Sequence, residues 1–324
     1  MNALKLFVKM LRPQVAVVLV LFAVLGMAQG GYRQQLVWQL LGVVIVIVAW
    51  WVNATTINDL ADYEIDRINL KGAAERPLAN KQATRRQIMA LSLFSAMAGL
   101  GVGFVLDARI GVLVLICLLL NYAYSMPPAK ISHRGAQAPL LLPIGYVVLP
   151  YLVGAWSLDE SITRKGQLIL AAIYISFIGR IILKDFRDVK GDAKFGKRTF
   201  LLRYGRKATC ITSAIGLAVG SSILLAVIPL NLVIVFIFEA LLGCALFGLY
   251  KLYKTHGRVV ELIVIGSIVR AASGAVIILL ALLLLQNNGK PLSQQVLATA
   301  ALGLYFIAQF WDTLKKAEAV KRRA

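Results

Sequence analysis

The chain alternates long apolar runs with short polar segments. A helix needs about 20 mostly apolar residues to cross a bilayer core. Ten stretches approach that length: 13–29, 36–57, 87–106, 109–125, 138–157, 167–184, 209–229, 231–250, 259–286 and 293–313. The pattern predicts an all-α polytopic membrane protein. The first run follows Lys5, Lys9 and Arg12 and reaches Met27-Ala28-Gln29, a layout that a signal peptide shares. Nine further runs favour a retained first helix. The longest polar segments are 58–86 and 184–207, a length often associated with function. No linker or low-complexity stretch separates them, so 1–324 is expected to form one membrane-embedded domain.

Composition agrees with that pattern. Apolar residues make up 59% of the chain and charged residues 15%. With the N-terminus placed in the cytoplasm, 29 of the 35 Lys and Arg residues fall in cytoplasmic segments. The opposite side holds Arg33, Arg109, Arg164, Lys165 and Lys290, and Arg270 falls inside a span. This asymmetry predicts both termini on the cytoplasmic side of a bacterial or archaeal plasma membrane. The net charge of +20 is not organised as a basic stripe with interleaved aromatics, so nucleic acid is not the expected partner. Membrane lipids and an anionic substrate are. Cys117, Cys210 and Cys244 stand alone and no CxxC occurs, which excludes a disulfide scaffold and offers no zinc spacing. His133 and His256 both lie near loop ends and do not propose a His-ligated metal.

The acidic residues are scarce, fifteen in all, and six of them fall in two repeated patterns. Asp59, Asp62 and Asp66 follow the spacing i, i+3, i+7 where the run from Leu36 to Thr56 reaches water. Asp185, Asp188 and Asp192 repeat it after the run from Leu168 to Leu183. On a helix these positions share one face. Asn58 lies four residues before Asp62 and joins the first set. Carboxylates gathered on one face repel unless a cation neutralises them. Hard oxygen ligands suit Mg²⁺, whose remaining shell is commonly filled by substrate phosphates. Basic loops follow both sets: Arg67, Lys71, Arg76 and Lys81 after the first, and Lys190, Lys194, Lys197 and Arg198 after the second. A third segment, Tyr124-Ser125-Met126-Pro127-Pro128-Ala129-Lys130, lies on the same predicted side. Acidic metal ligands facing basic residues are what a diphosphate requires. An apolar chain attached to that diphosphate would lie among the helices.

At these residues the chain resembles the UbiA superfamily of intramembrane prenyltransferases, over about Arg12 to Gly205. The family's NDxxDxxxD signature is matched by Asn58, Asp59, Asp62 and Asp66, and its Arg-Pro by Arg76-Pro77. Its second acidic motif is matched by Asp185, Asp188 and Asp192, followed by Gly196-Lys197-Arg198-Thr199. Tyr124-Ser125-Met126-Pro127-Pro128 is similar to the YSxPP stretch of the branch that makes chlorophyll, menaquinone, tocopherol-type and archaeal ether-lipid precursors. The tenth run, 293–313, departs from the nine spans usual in the family. The resemblance implies a helical bundle of nine to ten transmembrane helices around a central cavity open to the cytoplasmic side. It implies an enzyme that transfers a prenyl group from a prenyl diphosphate donor to a hydrophobic or aromatic acceptor, with two Mg²⁺ ions. Asn58 and Asp62 would hold one ion, and Asp188 and Asp192 the other. Asp59, Asp66 and Asp185 would complete the shells, orient water or take the acceptor's proton. Arg67, Lys130, Arg12, Lys81 and Lys184 would grip the diphosphate, and Tyr124 would steady the allylic cation or bond a phosphate.

Other residues and functions compete with this reading. Glu239 and Arg270 lie deep in adjacent antiparallel runs and are expected to pair as a buried ion lock. Trp50-Trp51 suits core packing or an interfacial anchor better than a prenyl tunnel. A phosphoribosyl-type transferase of the same fold, acting on a polyprenyl phosphate, is a second reading, but the Tyr124-to-Lys130 stretch and the second acidic motif fit the prenyl branch better. A transporter would also have many spans, but would place its charges at the midplane. Here the acids sit at helix ends.

Overall fold

A computed structural model describes residues 2–29, 37–69, 76–158 and 161–323. Arg33 and Lys71, two of the loop charges, lie outside the described residues. Every long element among the described residues is helical. In chain order these are α1 (Ala3–Leu11), α2 (Pro13–Gln29), α3 (Val37–Ala61), α4 (Tyr63–Asn69), α5 (Arg85–Leu106), α6 (Ala108–Ser125), α7 (Gln137–Pro143), α8 (Leu149–Trp156), α9 (Arg164–Ile181), α10 (Asp185–Lys194), α11 (Phe200–Leu225), α12 (Leu232–Lys254), α13 (Arg258–Asn287) and α14 (Leu292–Arg323). Among the described residues, nine helical stretches are long and apolar enough to cross a membrane, with α7 and α8 counted as one and α9 and α10 as another; a tenth is reached if α1 and α2 count as one broken span. The expected run 293–313 lies within the longer α14.

Local chemistry sets the helix ends. Thr84 and Gln87 form a reciprocal capping box at the start of α5. Asp107 accepts the Arg109 N–H at 2.7 Å and opens α6. Thr163 and Asn231 cap α9 and α12 in the same way. Between α7 and α8 the chain makes one π turn, Ile144–Val148. Pro150 has no N–H to give the Tyr146 carbonyl, and the wider turn absorbs that lost bond.

Residue contacts divide the chain into two units. The first holds α1 to α8 and the segment Asp188–Thr199. Its central helix is α3, apolar all round and buried at Val43, Val46, Ile47, Trp50 and Val52. Asn53 of α3 donates to the Ser92 carbonyl and hydroxyl of α5, both at 3.1 Å, a polar tie of the kind that joins membrane helices. α1 was not foreseen as a helix. It meets α2 at 63°, and Arg12 between them adopts φ 45°. Two side chains of α3 hold this bend: Trp51 Nε1 donates to the Leu11 carbonyl at 2.6 Å, and Thr55 Oγ1 to the Met10 carbonyl at 2.9 Å. They satisfy carbonyls that the end of α1 leaves open. Trp51 also meets the Tyr146 ring edge-on at 5.3 Å, and Trp50 is buried, so both serve packing. α2 and α8 approach backbone to backbone, because Gly26 lies on the Tyr151 carbonyl and Gly154 on the Ala23 carbonyl.

The second unit holds α9 and α11 to α14. Gly179, Gly216 and Gly220 let α9 and α11 meet closely. α11 bends at Gly205, whose φ of 79° falls in the left-handed region. Next to the bend, Arg206 pairs with Glu261 of α13 and donates to the Leu252 and Thr255 carbonyls at the end of α12. Its guanidinium lies 5.0 Å from the Phe186 ring centroid. The expected Glu239–Arg270 lock does not form. Both residues are exposed, and Arg270 donates to the Gly266 carbonyl of its own helix at 3.2 Å. Matching depth along two helices leaves their facing sides undetermined, and these two residues face elsewhere.

Gly154→Ala should lower stability by about 1–3 kcal/mol, because a methyl there strikes a backbone oxygen. Gly101→Ala, with open space around it, should show no loss in the same thermal melt in detergent. Arg206→Ala should cost about 2–3 kcal/mol by leaving Glu261 buried and unpaired, whereas Glu239→Gln should leave the melting temperature unchanged.

Candidate active site

The first acidic set straddles the end of α3. Asp62 closes α3 and α4 begins at Tyr63, yet the helical bonds continue: Asp62 N–H donates to the Asn58 carbonyl at 2.9 Å and Asp66 N–H to the Asp62 carbonyl at 2.8 Å. Asn58, Asp62 and Asp66 therefore stay on one face, as their spacing requires. The end of a helix is its negative pole, so acids placed there need cations. Asp59, Asp62 and Asp66 are 2%, 5% and 6% exposed, which makes the need acute.

Three basic residues meet that need. Arg12, carried by the α1–α2 bend, lies 2.7 Å from Asp59 Oδ1. Arg76 pairs with Asp59, lies 3.1 Å from Asp66 Oδ2 and is itself buried. Lys197 Nζ is 3.1 Å from Asp62 Oδ2 and 3.8 Å from Asp192 Oδ1. Its position follows from a turn: Gly196 adopts φ 65°, and Lys197 N–H donates to the Asp192 carbonyl at 2.9 Å. One ammonium thus joins the second acidic motif to the first, reaching Asp62 from 135 residues away in the sequence.

The remaining expected residues are placed as follows. Asn58 Nδ2 donates to Asp62 Oδ2 at 3.2 Å. Asp192 is buried, and Asp188 is half-buried on the same helix. Asp185, in the other unit, is buried and accepts the Leu201 N–H at 3.4 Å. Lys184, also in that unit, is half-buried in the 3₁₀ turn before α10. Tyr124 and Lys130 are half-buried on the third loop, where Lys130 adopts φ 41°. Arg67 is exposed and turns to Glu64 at 3.3 Å and to the Tyr63 ring, and Lys81 is exposed. Neither is brought to the carboxylates. Arg76 and Lys197 are the central cations that were given no role from sequence, although both stand in the quoted motifs. The signal was present: each is a basic residue beside a turn-forming Pro or Gly in the loop that follows an acidic set.

Burial pushes the Asp66 carboxyl up to about 7; Arg76 opposes the rise, and Asp59 and Asp62 add to it. Burial, helped by Lys130 and Lys197, pushes the His133 imidazole down to about 4, so His133 is neutral at pH 7. Among the described residues no three acidic, His or Cys groups converge as a closed metal cage. The donor set nevertheless fits a hard cation that shares its shell with phosphate. Asp59 Oδ2 and Asp62 Oδ1 are buried oxygens with no hydrogen-bond donor.

The chain is similar to known proteins. The sequence pattern of the UbiA prenyltransferase family matches residues 17–261. Digeranylgeranylglyceryl phosphate synthase of Thermococcus gammatolerans is 31% identical over 250 residues, covering 72% of this chain and 86% of that relative. Chloroplastic chlorophyll synthase of Oryza sativa is 29% identical over 157 residues, covering 46% of this chain and 41% of that protein. A solved structure concerned with digeranylgeranylglyceryl phosphate synthase in membranes superposes with a TM-score of 0.60 at 17% identity, covering 94% of this chain and all of that one. A UbiA homolog from Archaeoglobus fulgidus, solved with DMAPP and Mg²⁺, gives a TM-score of 0.58 at 15% identity, covering 95% of this chain and 99% of that one. These matches decide among the competing function classes, and the chain belongs to the UbiA prenyltransferase family, as an integral membrane enzyme that transfers prenyl groups.

Proposed function

We propose that the chain transfers a prenyl group from a prenyl diphosphate to a lipid-like acceptor in a reaction that requires Mg²⁺. The observation that carries this reading is the Asp62–Lys197–Asp192 bridge, which joins one carboxylate of each acidic motif. Asn58 and Asp62 would hold one Mg²⁺, and Asp188 and Asp192 a second. Bound Mg²⁺ supplies a Lewis acid that neutralises diphosphate oxygens as the C–O bond breaks. The Archaeoglobus fulgidus homolog solved with DMAPP and Mg²⁺ supports both the metal and the donor class.

The protein's own groups do the remaining work. Arg12, Arg76 and Lys197 supply fixed positive charge beside the carboxylates, and Lys130 extends it along the third loop. Held by packing and turns, these cations need little reorganisation when negative charge builds on the leaving group. Asp59 and Asp66 hold Arg12 and Arg76 in place. The apolar helices accept the prenyl chain in a cavity open toward the cytoplasmic side and keep water from the allylic carbon. The lipid-like acceptor is supported by the relatives, whose named product is a prenylated glyceryl phosphate. The family match runs through residues of both units, which supports one catalytic domain. The 29 to 5 distribution of loop Lys and Arg supports a cytoplasmic active site and cytoplasmic termini.

Purified protein in nanodiscs, given labelled geranyl, farnesyl and geranylgeranyl diphosphates and a panel of acceptors, should form prenylated product with Mg²⁺ and none with EDTA. Asp62→Ala and Asp192→Ala should each lower kcat/KM by roughly a hundredfold or more. Turnover that persists in EDTA, or in both variants, contradicts this reading.

A further inference from the structure

The third loop carries polar groups that donor chemistry does not use. Ser132 Oγ and His133 Nε2 are both buried, and neither has a hydrogen-bond partner. Ser132 is only 2% exposed. A buried hydroxyl or imidazole nitrogen left unpaired is unfavourable, and two in succession call for a partner supplied from outside the chain. The next residue, Arg134, forms a backbone bridge with Arg198, so two guanidinium-bearing residues stand on adjacent backbones. Both are exposed, and among the described residues neither meets a carboxylate. Like charges placed opposite one another disfavour the fold. The nearby acids Asp62 and Asp192 are already joined to Lys197. Two arginines, a hydroxyl and an imidazole nitrogen match a phosphate: the guanidinium groups bind its oxygens in pairs, and the smaller groups take single hydrogen bonds.

We propose that Ser132, His133, Arg134 and Arg198 form a second anion site, beside the acidic centre, that binds the phosphate head of the acceptor. This inference rests on the reading of the acceptor as lipid-like. It divides the labour between two sites. The acidic centre takes the donor's diphosphate through metal, and this loop takes the acceptor's phosphate without it.

The test is equilibrium binding of a fluorescent monoalkyl phosphate, and of the matching alcohol, to protein in phosphatidylcholine nanodiscs with EDTA. The wild type should bind the phosphate about tenfold or more tightly than the alcohol. Arg134→Gln/Arg198→Gln should lose that preference. Ser132→Ala and Arg134→Lys/Arg198→Lys should weaken it, and these variants cover the case in which the double Gln variant does not fold. Equal binding of phosphate and alcohol by the wild type overturns the proposal, as does a preference that survives the double Gln variant. Displacement by geranylgeranyl diphosphate in EDTA merges the site with the donor's and overturns it too. Loss of the preference when phosphatidylglycerol is added assigns the pocket to bilayer head groups and overturns the acceptor assignment. Donor turnover in the earlier assay with no phosphate preference here means that this inference fails alone. A phosphate preference with no donor turnover means that the enzymatic reading fails and the anion site stands.

Discussion

Four buried carboxylates at the ends of apolar helices must be neutralised, and much of the first unit follows from that constraint. Asp59, Asp62, Asp66 and Asp192 lie where little water can screen them. Arg12, Arg76 and Lys197 are cations that reach them. Each is delivered by a specific backbone feature: the bend between α1 and α2, the Arg76-Pro77 turn, and the turn at Gly196. Trp51 and Thr55 of α3 hold the bend that carries Arg12. The helix that bears the acids thus also fixes one of their counter-ions.

The second unit uses a buried ion pair in a different way. Arg206 and Glu261 join the start of α11 to α13, and the same guanidinium closes the end of α12 and covers Phe186. Phe186 follows Asp185, and Asp185 accepts the Leu201 N–H just after the Thr199 turn. The start of the second acidic helix is therefore anchored to the body of its own unit. Arg206 and Glu261 form one pair that ties three helices of the second unit, whereas the acidic centre gathers several carboxylates around Arg12, Arg76 and Lys197 and leaves Asp59 Oδ2 and Asp62 Oδ1 without a donor. That contrast fits a structural lock in one unit and a reactive centre in the other.

Much of the fold was legible because long apolar runs leave few alternatives to membrane helices, and the i, i+4 stacking of Asn58, Asp62 and Asp66 survived the α3–α4 junction. α1 was hidden because a nine-residue segment with two lysines is too short for a span and counts as the basic flank of the first run, and only tertiary bonds to α3 reveal its purpose. Glu239 and Arg270 were matched by depth, which carries no information about azimuth. Arg67 and Lys81 were drawn into the site by sequence proximity, but their helix and turn point them outward. Arg76 and Lys197 were visible as motif letters without an individual role, because the reach of Lys197 to Asp62, 135 residues away, is a property of three dimensions.

The central claim is that the two acidic motifs act as one centre, coupled through Lys197. A double-mutant cycle of Asp62→Asn and Asp192→Asn, read as kcat/KM in nanodiscs, tests it most directly. Coupling predicts that the double variant loses little more activity than either single variant. Losses that add in free energy, with each variant acting independently of the other, would contradict a shared centre.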